Sequence, residues 1–173
     1  SNAVEGFLSG LGHPVIGIDH LAFVVIAGLL AAAVGRGLVI PVSFVLASIG
    51  GTGLHLLGLN LPAPEFFIAG SVLGFGGLLA MKQQLPNRVI AALAALAGLF
   101  HGYAYGEAVI GAEMPSIAAY LIGFASVQML IAIVTYAVSS RLVNRKGDAL
   151  GLRFAGFALA GVGAALLSSV VLG

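Results

Sequence analysis

Residues 21–35, LAFVVIAGLLAAAVG, form an apolar run without a charge, and directly ahead of them residues 13–20 read HPVIGIDH. Such a run approaches the roughly 20 residues that an α-helix needs to cross about 30 Å of hydrocarbon. The eight preceding residues hold two histidines and an aspartate, which are costly at a membrane unless they reach water or have a function. The stretch therefore predicts a membrane-spanning helix with ionisable chemistry at its start.

The rest of the chain has the same character. Of its 173 residues 60% are hydrophobic and 8% are charged, and the mean hydropathy is +1.14. A soluble domain carries about 25% charged residues, so lipid is the expected surrounding of this chain. Its 26 glycines suit closely packed membrane helices, and the absence of cysteine excludes disulfides and thiolate metal sites. The net charge of +1 gives no indication of nucleic-acid binding.

Glycine, proline and charged residues divide the chain into six apolar segments. They cover about residues 14–34, 38–59, 65–81, 87–106, 116–143 and 149–172. Segments this long and evenly apolar are expected to be helices, because the backbone must satisfy its own hydrogen bonds in lipid. We predict an all-α integral membrane protein, a single transmembrane domain over residues 1–173 built as a bundle of six helices. Residues 1–3 resemble the remnant of a cleaved expression tag and are assigned no structure.

The charges predict the orientation of this bundle. One side collects all seven basic residues, and cytoplasmic loops are rich in Lys and Arg. The other side collects five of the six acids. We therefore expect both termini on the outer side, after removal of a signal peptide. The basic residues are Arg36, Lys82, Arg88, Arg141, Arg145, Lys146 and Arg153; the outer acids are Glu5, Asp19, Glu65, Glu107 and Glu113, and Asp148 is the exception.

All four histidines fall in the outer half of the predicted helices. His13 and His20 flank the start of the first segment, while His55 and His101 lie towards the outer ends of the second and fourth. With Pro14 in the first helical turn, His13 would cap the first helix. His13, residue 17 and His20 would then share one face of that helix, with residue 19 turned away from it. Ionisable groups inside a membrane are usually functional, so this grouping indicates a site.

The fourth segment offers a second set of donor side chains. His101 and Tyr105 are one helical turn apart, and Glu107 closes the segment. Nitrogen and oxygen donors without thiolates suit a borderline divalent ion such as Ni²⁺, Co²⁺ or Zn²⁺. The predicted metal ligands are His13, Asp19, His20, His101, Glu107 and, because of its similar depth, His55. Candidates for hydrogen bonds to the site or for the ion pathway are Tyr105, Gln128 and Ser48, and candidates for close packing at the site are Gly17, Gly102 and Gly106.

Most of these residues also have an ordinary structural interpretation. His13 would be a helix cap, Asp19 a partner of the helix dipole, and His55 a packing residue. Tyr105 and Gln128 are favoured as interhelical hydrogen-bonding residues. For Glu65, which follows a proline, we favour an acid at a helix start.

Two motifs resemble those of a known family. HPVIGIDH (residues 13–20) resembles the HP-x-x-G-x-DH motif of the HupE/UreJ nickel and cobalt permeases, and FHGYAYGE (residues 100–107) resembles their FHG-x-AHG-x-E motif. The resemblance implies a six-helix permease of the bacterial inner membrane with a periplasmic N-terminus. It also implies delivery of nickel for hydrogenase or urease maturation. Tyr105 departs from the motif, since the family has its second histidine there and a neutral phenol is a poor nickel ligand.

Together these observations predict a secondary permease or channel-like importer for a divalent transition-metal ion, without a catalytic cofactor and not an enzyme. The sequence contains no G-x-x-x-x-G-K-[ST] motif, which would indicate a nucleotide partner. We therefore expect an ion gradient, the membrane potential or cytoplasmic trapping to supply the energy for transport. The alternatives are a metal-binding or assembly partner without transport, and a zinc-dependent intramembrane hydrolase. A homo-oligomer is left open.

Overall fold

The computed structural model describes residues 2–35, 37–82, 85–146 and 150–173, with the side chains of residues 144–146 outside that description. These residues form seven α-helices and a 3₁₀ turn at Glu107–Val109, so the all-α prediction is confirmed for this part of the chain. The helices are α1 Ala3–Ile16, α2 Ile18–Ala33, α3 Val39–Leu56, α4 Pro64–Ala80, α5 Asn87–Gly106, α6 Met114–Lys146 and α7 Leu150–Leu172.

Several of these helices are long and apolar enough to cross a membrane, as expected of a multi-pass membrane protein. Within the described residues four qualify, namely α3, α5 with the turn after it, α6 and α7. The pair α1 and α2 qualifies as a fifth, bent span, with an angle of 79° between the two helices. The 17 residues of α4 are apolar and cover about 25 Å. Six crossings, and the side on which the termini lie, stay predictions.

The predicted start of the first span is wrong. Pro14 lies inside α1, and His13 lies in the last turn of α1 and does not cap a helix. The start of α1 is fixed by a capping box, in which the Asn2 side chain accepts from the Glu5 N–H (2.9 Å) and the Glu5 carboxylate accepts from the Asn2 N–H (3.0 Å). Asn2 and Ala3, which the sequence analysis set aside, thus begin a helix, whereas Ser1 lies outside the described residues.

The chain breaks between α1 and α2 at Gly17. This residue has an extended backbone (φ −74°, ψ 109°) and donates its N–H to the His13 carbonyl at 3.1 Å. A Cβ atom here would lie 2.8 Å from Cδ2 of His20 and 3.1 Å from Oδ1 of Asp19, so only glycine leaves room for both side chains. Because the helices meet at 79°, the predicted single helical face of His13, Gly17 and His20 does not exist.

The other predicted segments agree with the helices to within about three residues at most ends. The second segment ends early, because α3 stops at Leu56 and Gly58 adopts a positive φ of 75°. The fifth segment extends further than predicted, over Met114–Lys146. The predicted start of the last segment at residue 149 lies outside the described residues, as do Arg36 and Asp148.

Glycines allow the closest helix contacts, as expected for packing in lipid. A Cβ atom on Gly10 of α1 would collide with the backbone of Tyr120 in α6, and one on Gly51 of α3 would collide with the backbone of Leu99 in α5. The pair α4 and α7 is packed in the same way at Gly76. Helix α2 lies among these helix pairs and contacts α1, α3, α4, α6 and α7. The side chain of Phe23 on α2 is therefore fully buried.

The helix order gives the bundle two distinct ends. The start of α7 meets the end of α4, where Arg153 Nε donates to the Ala80 carbonyl at 2.9 Å. At the opposite end the starts of α2 and α4 and the ends of α5 and α7 surround one cavity. That second end carries the ionisable residues of both sequence motifs.

Candidate metal site

A cavity of about 550 Å³ opens among α1, α2, α4, α5 and α7. Two imidazoles and three carboxylates line it together with apolar and small residues. The ionisable residues that line it are His13, Asp19, His20, Glu65 and Glu107. Three different helices, α1, α2 and α4, and the turn after α5 supply these groups, so the tertiary fold creates this concentration of ionisable side chains.

The imidazoles of His20 and His101 face each other below the cavity. Their Nδ1 atoms are 2.8 Å apart, and the other ring nitrogen of His101, Nε2, lies 3.0 Å from Oγ of Ser71 on α4. His101 is fully buried, and its ring packs against Phe23 and Phe44, with centroids 4.9 and 5.3 Å away. Aromatic rings thus pack directly against His101 inside the bundle.

Asp19 lies at the start of α2, beside His20. Its Oδ1 accepts the backbone N–H of His20 at 2.9 Å, a favourable position for an anion at a helix N-terminus. The same oxygen is 3.9 Å from Nε2 of His20, which is too far for a hydrogen bond. A carboxylate oxygen and a ring nitrogen therefore stand side by side at the cavity wall.

His13 is held from the side of α6. Its Nδ1 lies 3.2 Å from the hydroxyl of Tyr120, which also lies 3.4 Å from the carbonyl oxygen of Tyr105. The ring of Tyr105 fills the space between the two histidines of the first motif, with centroids 4.2 Å from His20 and 4.9 Å from His13. The tyrosine in the second motif therefore packs on imidazoles and does not line the cavity.

Three candidates of the sequence analysis lie elsewhere. The ring of His55 packs on Tyr103, with centroids 4.4 Å apart, and is not among the residues that line the cavity. The Ser48 hydroxyl donates to the Phe44 carbonyl within α3 at 2.9 Å. Gln128 is fully buried in α6, where its Nε2 donates to the Phe124 carbonyl at 3.4 Å.

The three glycines expected at the site all pack closely, but of the three only Gly17 does so against residues that line the cavity. Gly17 makes room for Asp19 and His20, as described above. A Cβ atom on Gly106 would lie 2.5 Å from Cβ of His55, and one on Gly102 would collide with the carbonyl group of Ser48.

Comparison with known proteins identifies the family. A family model described as HupE / UreJ protein matches residues 1–166. The chain belongs to the HupE/UreJ family. Protein HupE of Rhizobium leguminosarum bv. viciae is 33% identical over 168 residues, which cover 94% of this chain and 85% of that protein. No solved structure matches the chain.

Family membership confirms the resemblance drawn from the two motifs. Residues 100–107 depart at two points from the motif that they resemble. Tyr105 replaces a histidine, and Glu107 follows Gly106 directly, one position earlier than the glutamate of the family motif. Glu107 nevertheless lines the cavity, because the 3₁₀ turn after α5 carries it there.

Within the described ranges, no group of three or more His, Cys, Asp or Glu side chains is placed to hold a metal ion. His13, His20 and His101 nevertheless lie close together, since the ring centroid of His20 is 6.1 Å from that of His13 and 5.0 Å from that of His101.

Sequence reasoning did not single out Ser71 or Tyr120, and it favoured a plain helix-start role for Glu65. A lone hydroxyl in an apolar helix has no spacing pattern that would distinguish it. Glu65 does lie in the first turn of α4, but it also lines the cavity. The feature of the sequence that could have indicated a role of Glu65 at the site was its position among the outer acids.

Proposed function

We propose that this protein is a permease for a divalent transition-metal ion, with nickel as the first candidate and cobalt as the alternative. The ion enters the protein through the cavity that is lined by His13, Asp19, His20, Glu65 and Glu107. The three carboxylates attract the cation, and the imidazoles exchange for part of its water. Since no three of the described donor side chains converge as they would in a closed metal site, we expect binding weak enough for the ion to move on, as conduction requires.

The observation that carries this proposal is the clustering of five ionisable side chains in one cavity of an otherwise apolar helix bundle. Ionisable groups among membrane helices are expensive and mark ion pathways. The pair of His20 Nε2 and Asp19 Oδ1 supports it further, because nitrogen and carboxylate oxygen are the donor types that a borderline cation prefers.

We further propose that the protein lies in the bacterial inner membrane, with the cavity and both termini on the periplasmic side. The excess of Lys and Arg at the opposite end of the chain's helices supports this orientation. The family name supports a role in supplying nickel for hydrogenase or urease maturation.

The test is uptake of radiolabelled nickel, cobalt or zinc by proteoliposomes that contain the purified protein. We expect His20→Ala and His101→Ala to lower nickel uptake at least about tenfold, the usual scale for groups that hold or orient a metal ligand. His55→Gln is the matched control, since it changes a histidine that does not line the cavity.

Uptake at the wild-type rate by correctly inserted His20→Ala and His101→Ala would contradict the proposal. Nickel binding without flux in the wild type would instead favour a metal-binding or assembly partner.

A further inference from the structure

A chain of hydrogen bonds runs from the backbone of α4 through two imidazoles to the cavity. Ser71 Oγ lies 2.7 Å from the carbonyl oxygen of Ile68 and 3.0 Å from Nε2 of His101. Nδ1 of His101 lies 2.8 Å from Nδ1 of His20. The chain ends at Nε2 of His20, which stands 3.9 Å from Oδ1 of Asp19 at the cavity wall.

The direction of this chain is set at Ser71. A carbonyl oxygen cannot donate, so the short contact with Ile68 takes the single hydrogen of the Ser71 hydroxyl. Ser71 Oγ must then accept from Nε2–H of His101, and the neutral ring of His101 presents a lone pair at Nδ1. That lone pair accepts from Nδ1–H of His20, which leaves Nε2 of His20 without a proton.

The reversed direction would leave one ring N–H group without an acceptor from the protein. If Ser71 donated to His101, then His101 would donate from Nδ1 to His20, and His20 would carry its proton on Nε2. The Asp19 oxygen beside that atom is 3.9 Å away, beyond hydrogen-bond distance. In the first direction each of the two ring N–H groups has an acceptor within 3.0 Å.

We propose that Ser71 is a positioning residue, which acts through His101 to hold neutral His20 in the tautomer whose bare Nε2 faces the cavity. A metal ion binds imidazole only at an unprotonated nitrogen. With ligand bonds of about 2.0–2.2 Å, one ion reaches two donor atoms that are no more than about 4 Å apart. Nε2 of His20 and Oδ1 of Asp19 meet this limit at 3.9 Å.

Nitrogen NMR tests the tautomers on metal-free protein with ¹⁵N-labelled histidine side chains. Spectra are taken about two pH units above the ordinary histidine pKa of about 6.5, so that the rings are neutral. Protonated and unprotonated ring nitrogens resonate in separate ranges, and single-histidine substitutions assign the signals. We expect wild-type His20 to be protonated at Nδ1 and His101 at Nε2.

Three variants of serine complete the test. Ser71→Ala removes the acceptor of His101, so we expect both rings to shift towards the reversed tautomers, whereas Ser71→Thr keeps a hydroxyl and should keep the wild-type spectrum. Ser169→Ala is the matched control, because Ser169 makes the same 2.7 Å bond to a carbonyl three residues earlier, on α7. Wild-type His20 protonated at Nε2, or unchanged tautomers in Ser71→Ala, would overturn the proposal.

The expected effect of Ser71 on metal uptake rests on the proposed transport function. The expected histidine tautomers do not depend on that function. We expect Ser71→Ala to raise the KM for nickel uptake about 10- to 100-fold and Ser71→Thr to restore it. An unchanged KM alongside changed tautomers would overturn the link to the metal. If the wild type shows the expected tautomers but no uptake of any metal, the transport function fails and the role of Ser71 in setting the tautomer stands.

Discussion

At the scale of single residues, Tyr105 is the position where a tyrosine stands in place of the histidine of the motif that residues 100–107 resemble. Its ring is fully buried between His20, His13 and Phe124, yet among the described residues its hydroxyl has no hydrogen-bond partner. The ring therefore supports the imidazoles by packing, while the hydroxyl contributes nothing that the structure shows.

Removal of the Tyr105 hydroxyl should not destabilise the protein. A buried polar group without a partner costs about 1–3 kcal/mol, so Tyr105→Phe should leave the free energy of unfolding unchanged or raise it by up to that amount. Tyr105→Ala should lower it by about 3–5 kcal/mol, because it leaves a cavity. Unfolding in detergent measures both, with nickel uptake expected at the wild-type level in Tyr105→Phe. A loss above about 1 kcal/mol in Tyr105→Phe would mean that the hydroxyl has a bound partner.

How far the site could be predicted also depends on single residues. The histidines and acids stand out in an apolar sequence, so His13, Asp19, His20 and Glu107 could be selected before their common cavity was known. Ser71 could not, because its importance comes from a contact with a residue 30 positions away. Whether the selected residues bind a metal stays a prediction.

At the scale of helices, the pair α3 and α5 determines where His101 stands. Gly102, next to it in sequence, lies against the backbone of Ser48, and its carbonyl accepts a hydrogen bond from Thr52 Oγ1 at 2.8 Å. No side chain fits between these two helices at this level.

A methyl group at Gly102 should therefore push the two helices apart. We expect Gly102→Ala to lower the free energy of unfolding by about 1–3 kcal/mol and to reduce nickel uptake, since His101 moves with α5. Gly53→Ala, also on this helix pair but with no atom within 4 Å of the added Cβ, is the control and should be neutral or stabilising by about 0.5–1 kcal/mol. Equal stability of the two variants in thermal unfolding would contradict the close packing.

The helices themselves were largely predictable from hydropathy, and α1 was the exception. Pro14 is favourable in the first turn of a helix, so the sequence favoured a start there. The structure instead places Pro14 near the end of α1, whose glycines at positions 6 and 10 pack on α6. That contact joins residues more than 100 positions apart, so local sequence patterns could not reveal it.

At the scale of the whole molecule, the two ends of the bundle differ in charge. The cavity end holds the acids of α2, α4 and the turn after α5, and the opposite end holds Lys82, Arg88 and Arg153. A cation that moves from the acidic to the basic end down a potential of 100 mV gains about 4.6 kcal/mol if divalent. This direction corresponds to import only if the basic end faces the cytoplasm.

Single cysteines can establish that orientation, because the chain has none of its own. Glu113 and Lys82 are both exposed and lie in segments between helices, at the acidic and the basic end. In intact spheroplasts we expect a membrane-impermeant maleimide to label Glu113→Cys at once and Lys82→Cys only after the membrane is permeabilised. The opposite labelling pattern would place the cavity with its histidines on the cytoplasmic side, where it would serve as the exit of the ion. A cation driven inward by the membrane potential would then meet the basic end of the bundle first.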